Sequence, residues 1–394
     1  MSVPPAQLSQ INIYPIKSTR GMSVSRTWVS QQGLSQDRRL MVAKRDGTML
    51  TARTCPQLLN VNALFIDGGL RLTYPGQASM TLLMDDCSRA TLGTEVWGAH
   101  FEAWRTTLQA DDWFSDIIGE PVFLLYAGQR PTRIHPEMQQ ALAFVDEYPA
   151  LLISQGSLAG LNRRSQRINS MAQFRPNLVI ANTEEFAEDG WRRIKIGEVI
   201  FAVEKACERC ILTTIEPETG QFHALAEPLA TLAQFRAEPA GGVFFGQNLR
   251  ALNAGVLEVG DVVEVLETQA KATYVDNSID NSIDKSTLNT ASASFEVGAY
   301  KNVSITLNDT CIAANNQQTL LQHFSQQSVD INSGCRAGVC GACKVTLHAG
   351  EVMQTASRAL SAEDVAAGNI LACCSRAITD VVLTSVAMKG SSIS

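Results

Sequence analysis

Residues 335 to 343 read CRAGVCGAC, three cysteines spaced C-x4-C-x2-C, and thirty residues after Cys343 comes Cys373 in the stretch ILACCS. This is the spacing that holds a 2Fe–2S cluster on four thiolates. Three thiolates must converge on two irons within one tight loop, so the intervening Ala337, Gly338, Gly341 and Ala342 keep side chains out of the way. Glycine also permits left-handed backbone angles, which let N–H groups approach the sulfurs and offset the negative charge of the cluster. A zinc site prefers two similar short knuckles, and a distant single cysteine fits that poorly. A disulfide framework is disfavoured in a reducing compartment. The expected iron ligands are Cys335, Cys340, Cys343 and one of the adjacent pair Cys373 and Cys374.

Such a cluster carries one electron at low potential, about −400 mV in simple cases. It is a wire and needs a source and a destination. Neither Gly93–Gly98 (GTEVWG) nor Gly241–Gly246 (GGVFFG) makes the G-x-G-x-x-G of a flavin or nicotinamide site. Electrons are therefore expected from a separate flavoprotein reductase, and they must go to the first 267 residues.

The chain has 394 residues, enough for two or three domains. Its 45% apolar and 18% charged residues suit packed cores, and its formal net charge of −7 argues against nucleic-acid binding through a basic surface. The N-terminus lacks a signal-peptide layout and no apolar run is long enough to span a membrane, so the expectation is a cytoplasmic protein. Ten cysteines, half of them in the last 60 residues, point to metal or redox work. Residues 268–294, TQAKATYVDNSIDNSIDKSTLNTASAS, are poor in large apolar residues and repeat D-N-S-I-D, which reads as a flexible linker. Before it the pattern is strand-rich. LSQINIYPIK, RRLMVAKRDGTMLTA, WRRIKIGEVIFAVE and CILTTIE read as strands, WFSDIIGEP as a short helix, and SQGSLAGLNRRSQ as a helix capped by Ser154.

Two features of these residues point to chemistry. Cys207 and Cys210 form a C-x-x-C, which serves half a zinc site, a dithiol switch, or a site where one thiolate is a ligand and the other a bystander. Lys17-Ser18, Arg38-Arg39, Arg53, Asn162 to Arg167 and Arg175-Pro176-Asn177 place cations and amides near strand ends and turns. Arginine's planar fork suits phosphate and flat heterocycles, so a phosphate-bearing redox cofactor is expected.

Seven motifs in order, YPIKS (14–18), DRRLMVA (37–43), TAR (51–53), LLIS with SLAGLN (151–162), FRPNLV (174–179), ACERCILTT (206–214) and FGQNL with VGD (245–261), resemble the MOSC family. With the C-terminal cluster segment, the chain resembles the bacterial YcbX-type members, relatives of the mitochondrial amidoxime reducing component. The resemblance implies an α+β, mostly β fold. It comprises a MOSC N-terminal β-barrel domain (1–125), a MOSC β-barrel domain (126–267), the linker (268–294) and a β-grasp plant-type ferredoxin domain (295–394). Likeness to plant-type ferredoxins selects Cys373 as the fourth ligand and leaves Cys311 and Cys374 as packed thiols. The MOSC resemblance also implies a molybdenum cofactor (molybdopterin) whose metal is bound by Cys210 and whose pterin is contacted by Lys17, Ser18, Arg38, Arg175, Asn177, Glu208 and Arg209. Glu208 is unexpected beside an anionic group, because relatives commonly carry serine there.

The implied reaction is reduction of small N-hydroxylated compounds, such as hydroxylaminopurine-type base analogues and amidoximes. Thr213, Thr214 and Asp146 are candidate proton donors, with His135 and His223 placed at the surface. A sulfur carrier acting through a persulfide on Cys210, and a non-catalytic electron-transfer or cofactor-carrier module, are the competing readings.

Overall fold

The computed structural model describes residues 4–274 and 301–385, except 89, 224, 239–241, 317, 328, 330, 332–340, 342 and 355–358. Cys335, Cys340, the spacers Ala337, Gly338 and Ala342, and residues 275–294 of the expected linker lie outside the described residues. The chain divides into two compact units. The first comprises Met1–Cys207, Leu212–Pro228 and Phe245–Ala272, and the second Glu208–Ile211, Leu229–Phe244 and Thr273–Ser394. Among the described residues no helix is long and apolar enough to cross a membrane.

The first unit is built on an eight-stranded sheet. Its order is Met22–Val24, Gln7–Ile13, Leu178–Ala181, Ala150–Ser154, Phe244–Ala251, Val199–Glu208, Trp191–Ile196, Val263–Thr268. Strands from the start of the chain thus sit beside strands from its middle, with Ile11 opposite Leu178. A second long-range pairing joins Gly255–Glu258 to Arg26–Ser30. Strands Ala150–Ser154 and Leu178–Ala181 run parallel. Parallel neighbours need a crossover, and the connection contains the helix Gln155–Arg164. Ser154 caps it as expected, its hydroxyl accepting from the Ser157 N–H.

A four-stranded sheet, Leu40–Lys44, Val122–Tyr126, Ala99–Arg105 and Thr91–Val96, shows why LMVA and VFLL read as unbroken apolar runs. Leu40, Val42, Val122 and Leu124 face a core shared with Ala110, Trp113 and Phe114 of the helix Leu108–Ile118. The alternate residues Met41, Ala43, Phe123 and Leu125 face a different core with Val96 and Phe144. A sheet covered on both faces keeps the strand period but loses its polar half. The helix is longer than the WFSDIIGEP stretch suggests, because Thr107 caps it one turn earlier, and Gly119 at φ 82° ends it.

CILTTIE is not a strand. Ile211–Thr214 form a 3₁₀ turn, and Thr213, Thr214 and Ile215 are buried in succession. A strand sends alternate side chains to opposite faces, so three consecutive buried residues favour a tight turn.

One buried acid in this unit carries a testable charge cost. Glu188 is 1% exposed; its Oε1 accepts from the Ser154 N–H at 3.0 Å and its Oε2 has no hydrogen-bond partner. Burial raises its carboxyl above the ordinary value, against the hydrogen bonds that lower it. The folded state then keeps a proton that the unfolded chain releases, so stability falls as pH rises from about 4.5 toward the raised folded value. Glu188→Gln is expected to flatten that decline, read as melting temperature against pH.

In the second unit, a five-stranded sheet runs Thr310–Asn315, Asn302–Leu307, Val381–Ser385, Lys344–Ala349, Asn369–Leu371. The helix Leu320–Gln326 starts at a Thr319/Gln322 capping box and packs Leu320, Leu321 and Phe324 against Ile305, Val345 and Leu383. Cys374 is buried in this core as expected. Cys311 is not a packed thiol; it is exposed, while the next residue, Ile312, is buried.

Candidate functional site

Five of the residues singled out in the sequence, Lys17, Ser18, Arg38, Arg175 and Asn177, come together in the first unit. Three of them hold left-handed backbones without being glycine: Ser18 at φ 68°, Arg38 at φ 47° and Arg175 at φ 56°. Such residues cost energy and gather where a precise side-chain direction is needed. Arg175 leaves the turn Met171–Phe174 in this conformation and donates from Nη1 to the Thr19 carbonyl at 2.7 Å. Arg38 donates to Asn177 Oδ1 at 3.1 Å and to Asp37 Oδ2 at 2.5 Å. Both guanidiniums lie 4.3 Å from the centre of the Tyr14 ring. Asn177, 1% exposed, is locked between strands: Nδ2 donates to the Asn12 carbonyl and Oδ1 accepts from the Leu151 N–H.

A second set of groups adjoins Lys17, whose ammonium donates to the Phe144 carbonyl at 2.8 Å and pairs with Asp146. Arg53 Nη2 is 3.9 Å from Asp146 Oδ2, and Arg133 donates to the Val145 and Asp146 carbonyls at 2.5 and 2.7 Å. The Trp97 Nε1–H donates to Asp146 Oδ1 at 3.0 Å, with its ring 4.2 Å from the Arg53 guanidinium carbon. Five cations, Lys17, Arg38, Arg53, Arg133 and Arg175, thus face two carboxylates, Asp37 and Asp146.

The electrostatics follow from that imbalance. Burial lowers the Lys17 ammonium to about 8 despite Asp146, and lowers Arg175 to about 10, with Arg38 adding repulsion. Burial also opposes charge on Arg38, but Asp37, Tyr14 and Asp146 together outweigh it and raise that group. Burial would raise the Asp146 carboxyl, yet Lys17 and Arg53 hold it well below the usual carboxylate range. Asp146 is therefore ionised at neutral pH and carries no proton to donate, which removes it from the candidate acids. Its side chain is 57% exposed, so solvent screens the pair and its main effect is orientation. His135 is not a surface residue: it is 7% exposed, and its Nδ1 accepts from the Glu137 and Met138 N–H groups. His223 is half-buried. Thr213 and Thr214 are buried.

Glu208, Arg209 and Cys210 belong to the second unit, at and just beyond the end of strand Val199–Glu208. The Arg209 N–H donates to the Val243 carbonyl at 2.7 Å, and Phe244 N–H to the Arg236 carbonyl at 2.9 Å. Arg209 is buried, Cys210 half-buried and Glu208 exposed. Two of the four expected iron ligands are described. Cys343 and Cys373 are 3% and 8% exposed, and the Cys373 N–H points at Cys343 Sγ at 3.4 Å. An amide aimed at sulfur favours thiolate, so this pair suits an anionic cluster. Gly341 adopts φ 71° in the loop before Cys343. The cationic set likewise suits a large anion, since buried positive charge without enough carboxylates is costly unless a ligand compensates it.

Trp97 and Arg133 were beyond simple motif reading, and Asp146 was singled out only as a candidate proton donor. Trp97-Gly98 does carry a local signal, a bulky residue before glycine between two strand patterns, but nothing along the chain says what the turn reaches.

The geometry agrees with comparison to known proteins. Residues 5–121 match the model of the MOSC N-terminal beta barrel domain, 139–264 the MOSC domain, and 305–377 the 2Fe-2S iron-sulfur cluster binding domain. The rat mitochondrial amidoxime reducing component 2 is 32% identical over 278 residues, covering 65% of this chain and 82% of that protein. The human mitochondrial amidoxime-reducing component 1 is 32% identical over 281 residues, covering 66% and 82%. The molybdenum cofactor sulfurase of Oryza sativa subsp. japonica is 34% identical over 266 residues, covering 61% of this chain and 32% of that one. With its two MOSC modules and appended iron–sulfur domain, the chain belongs to the MOSC family of the amidoxime reducing components.

Proposed function

We propose that the protein is a molybdenum-cofactor-dependent reductase of N-hydroxylated compounds, supplied with electrons through its own 2Fe–2S domain by a separate flavoprotein. The observation that carries this is the buried and half-buried five-cation set around Tyr14 and Asp146, in a chain that also holds the Cys343–Cys373 pair. Lys17, Ser18, Arg38, Arg175 and Asn177 would hold the anionic end of the molybdopterin, Arg209 and Glu208 would contact its pterin, and Cys210 would give its thiolate to the metal. Cys335, Cys340, Cys343 and Cys373 would hold the cluster. When bound, the molybdenum cofactor supplies two-electron oxygen removal, and the cluster supplies electrons one at a time. The net reaction turns N–OH into N–H and water, consuming two electrons and two protons. Amidoximes and hydroxylaminopurine-type bases fit this reaction.

The chain's own residues contribute charge and orientation. Arg38 and Arg175, braced by Asp37, Asn177 and the Thr19 carbonyl, present fixed guanidinium planes, so little freedom is lost when an anion binds. Lys17 must be protonated to bind an anion. Cofactor retention is therefore expected to weaken as pH rises through about 8, read as molybdenum left after dialysis. The decisive experiment is the molybdenum-to-protein ratio of the purified protein, together with reduction of an amidoxime. Metal near one per chain with turnover supports the proposal, and protein replete in iron and cofactor that turns over no N-hydroxy compound defeats it.

Likeness to a molybdenum cofactor sulfurase favours one second reading, sulfur transfer through a persulfide on Cys210. Intact-mass measurement separates the two. An added sulfur atom on Cys210 without molybdenum supports the carrier.

A further inference from the structure

We infer that Trp97 is a stacking platform that selects planar heteroaromatic substrates. The inference rests on the reductase reading above and names the substrate class of the same site. The strands Thr91–Val96 and Ala99–Arg105 pair with Val96 opposite Ala99, which leaves a two-residue turn, Trp97-Gly98. Both residues have positive φ, 52° and 81°, the geometry of a type I′ turn. The first position of that turn prefers asparagine, aspartate or glycine, because a Cβ is strained there. A tryptophan at this position is a poor choice for folding. The turn is nonetheless held firmly, with the Gly98 N–H donating to Glu95 Oε2 at 2.8 Å.

What the strained residue does is reach back to the cationic set. Its Nε1–H is on Asp146, Arg53 lies 4.2 Å from the ring centre, and Lys17 lies 5.9 Å away. Yet Trp97 remains 50% exposed. Lys17 is 5% exposed and Asn177 1%, whereas the Asp146 side chain is 57% exposed, so the indole and the Asp146 carboxylate form the outer edge of the set. A group arriving from solvent therefore meets the indole at this edge. A flat ring can stack on it without hydrogen-bond readout. A flat N-hydroxylated heterocycle fits this platform.

The test uses the cofactor-loaded protein with Trp97→Asn and Trp97→Phe. Asparagine suits the turn, so Trp97→Asn is expected to melt at or above the wild-type temperature and to keep its molybdenum. For a hydroxylaminopurine its KM should rise about tenfold or more, the loss expected for one base–aromatic stack. Its kcat should hold, and KM for a small aliphatic amidoxime should be unchanged. Trp97→Phe should restore most of the aromatic KM. Equal losses on both substrates, or loss of molybdenum, would make Trp97 a cofactor support and overturn the inference, as would an unchanged aromatic KM. Binding of adenine, which is not reducible, is measured separately by quenching of indole fluorescence. Quenching present in wild type and lost in Trp97→Asn supports the platform even if no N-hydroxy compound is reduced. Absence of quenching in wild type sinks the platform and leaves the reductase reading standing.

Discussion

Cys210→Ser should lower N-hydroxy reduction by at least about a thousandfold, the scale on which enzymes respond to loss of a reacting group. Serine is nearly the same size, so packing changes little. What is lost is a soft, polarisable thiolate, and hard oxygen is a poor substitute toward molybdenum. The variant should retain the visible absorbance of the 2Fe–2S cluster, because Cys343 and Cys373 sit in a core of Ile305, Phe324 and Leu383 that does not include Cys210. Retained activity in Cys210→Ser would remove the thiolate from the mechanism. Retained absorbance with lost activity isolates the defect to the molybdenum centre.

Cys343→Ser is the reciprocal case. Cys343 is 3% exposed, its sulfur accepts the Cys373 N–H, and its carbonyl accepts from the Ala372 N–H at 3.0 Å. Replacing it removes one ligand and leaves a hydroxyl in an apolar core, so cluster absorbance should vanish. Turnover supported by a flavoprotein donor should fall to background. Reduction driven by a small chemical reductant that reaches molybdenum directly should persist. Loss of both routes would mean that the ferredoxin unit supports the other unit structurally, and loss of neither would mean that the cluster is not on the electron path.

Particular elements show what chain order reveals. Ser154 before SLAGLN and Thr319 before LLQHF announce helix starts, since a cap satisfies N–H groups only three residues away. WRRIKIGEVIFAVE announces its hairpin, because Gly197 at φ 54° makes a turn that neighbouring residues alone require. CILTTIE misled, because β-branched residues suit a strand while burial of three in succession depends on surroundings far off in sequence.

The site divides in the same way. Lys17, Arg38 and Arg175 were recognisable from their motifs, and the cluster cysteines from their spacing, since ligand loops are local objects whose geometry a few residues dictate. Folding was needed to bring Arg53, Trp97, Arg133 and Asp146 onto Lys17, from loops separated by as many as 129 residues. It was also needed to lower Lys17 to about 8 and to strip Asp146 of any role as an acid. Desolvation and charge–charge interaction depend on distances through space. A linear pattern holds no record of those distances until strands from the start and the middle of the chain have paired.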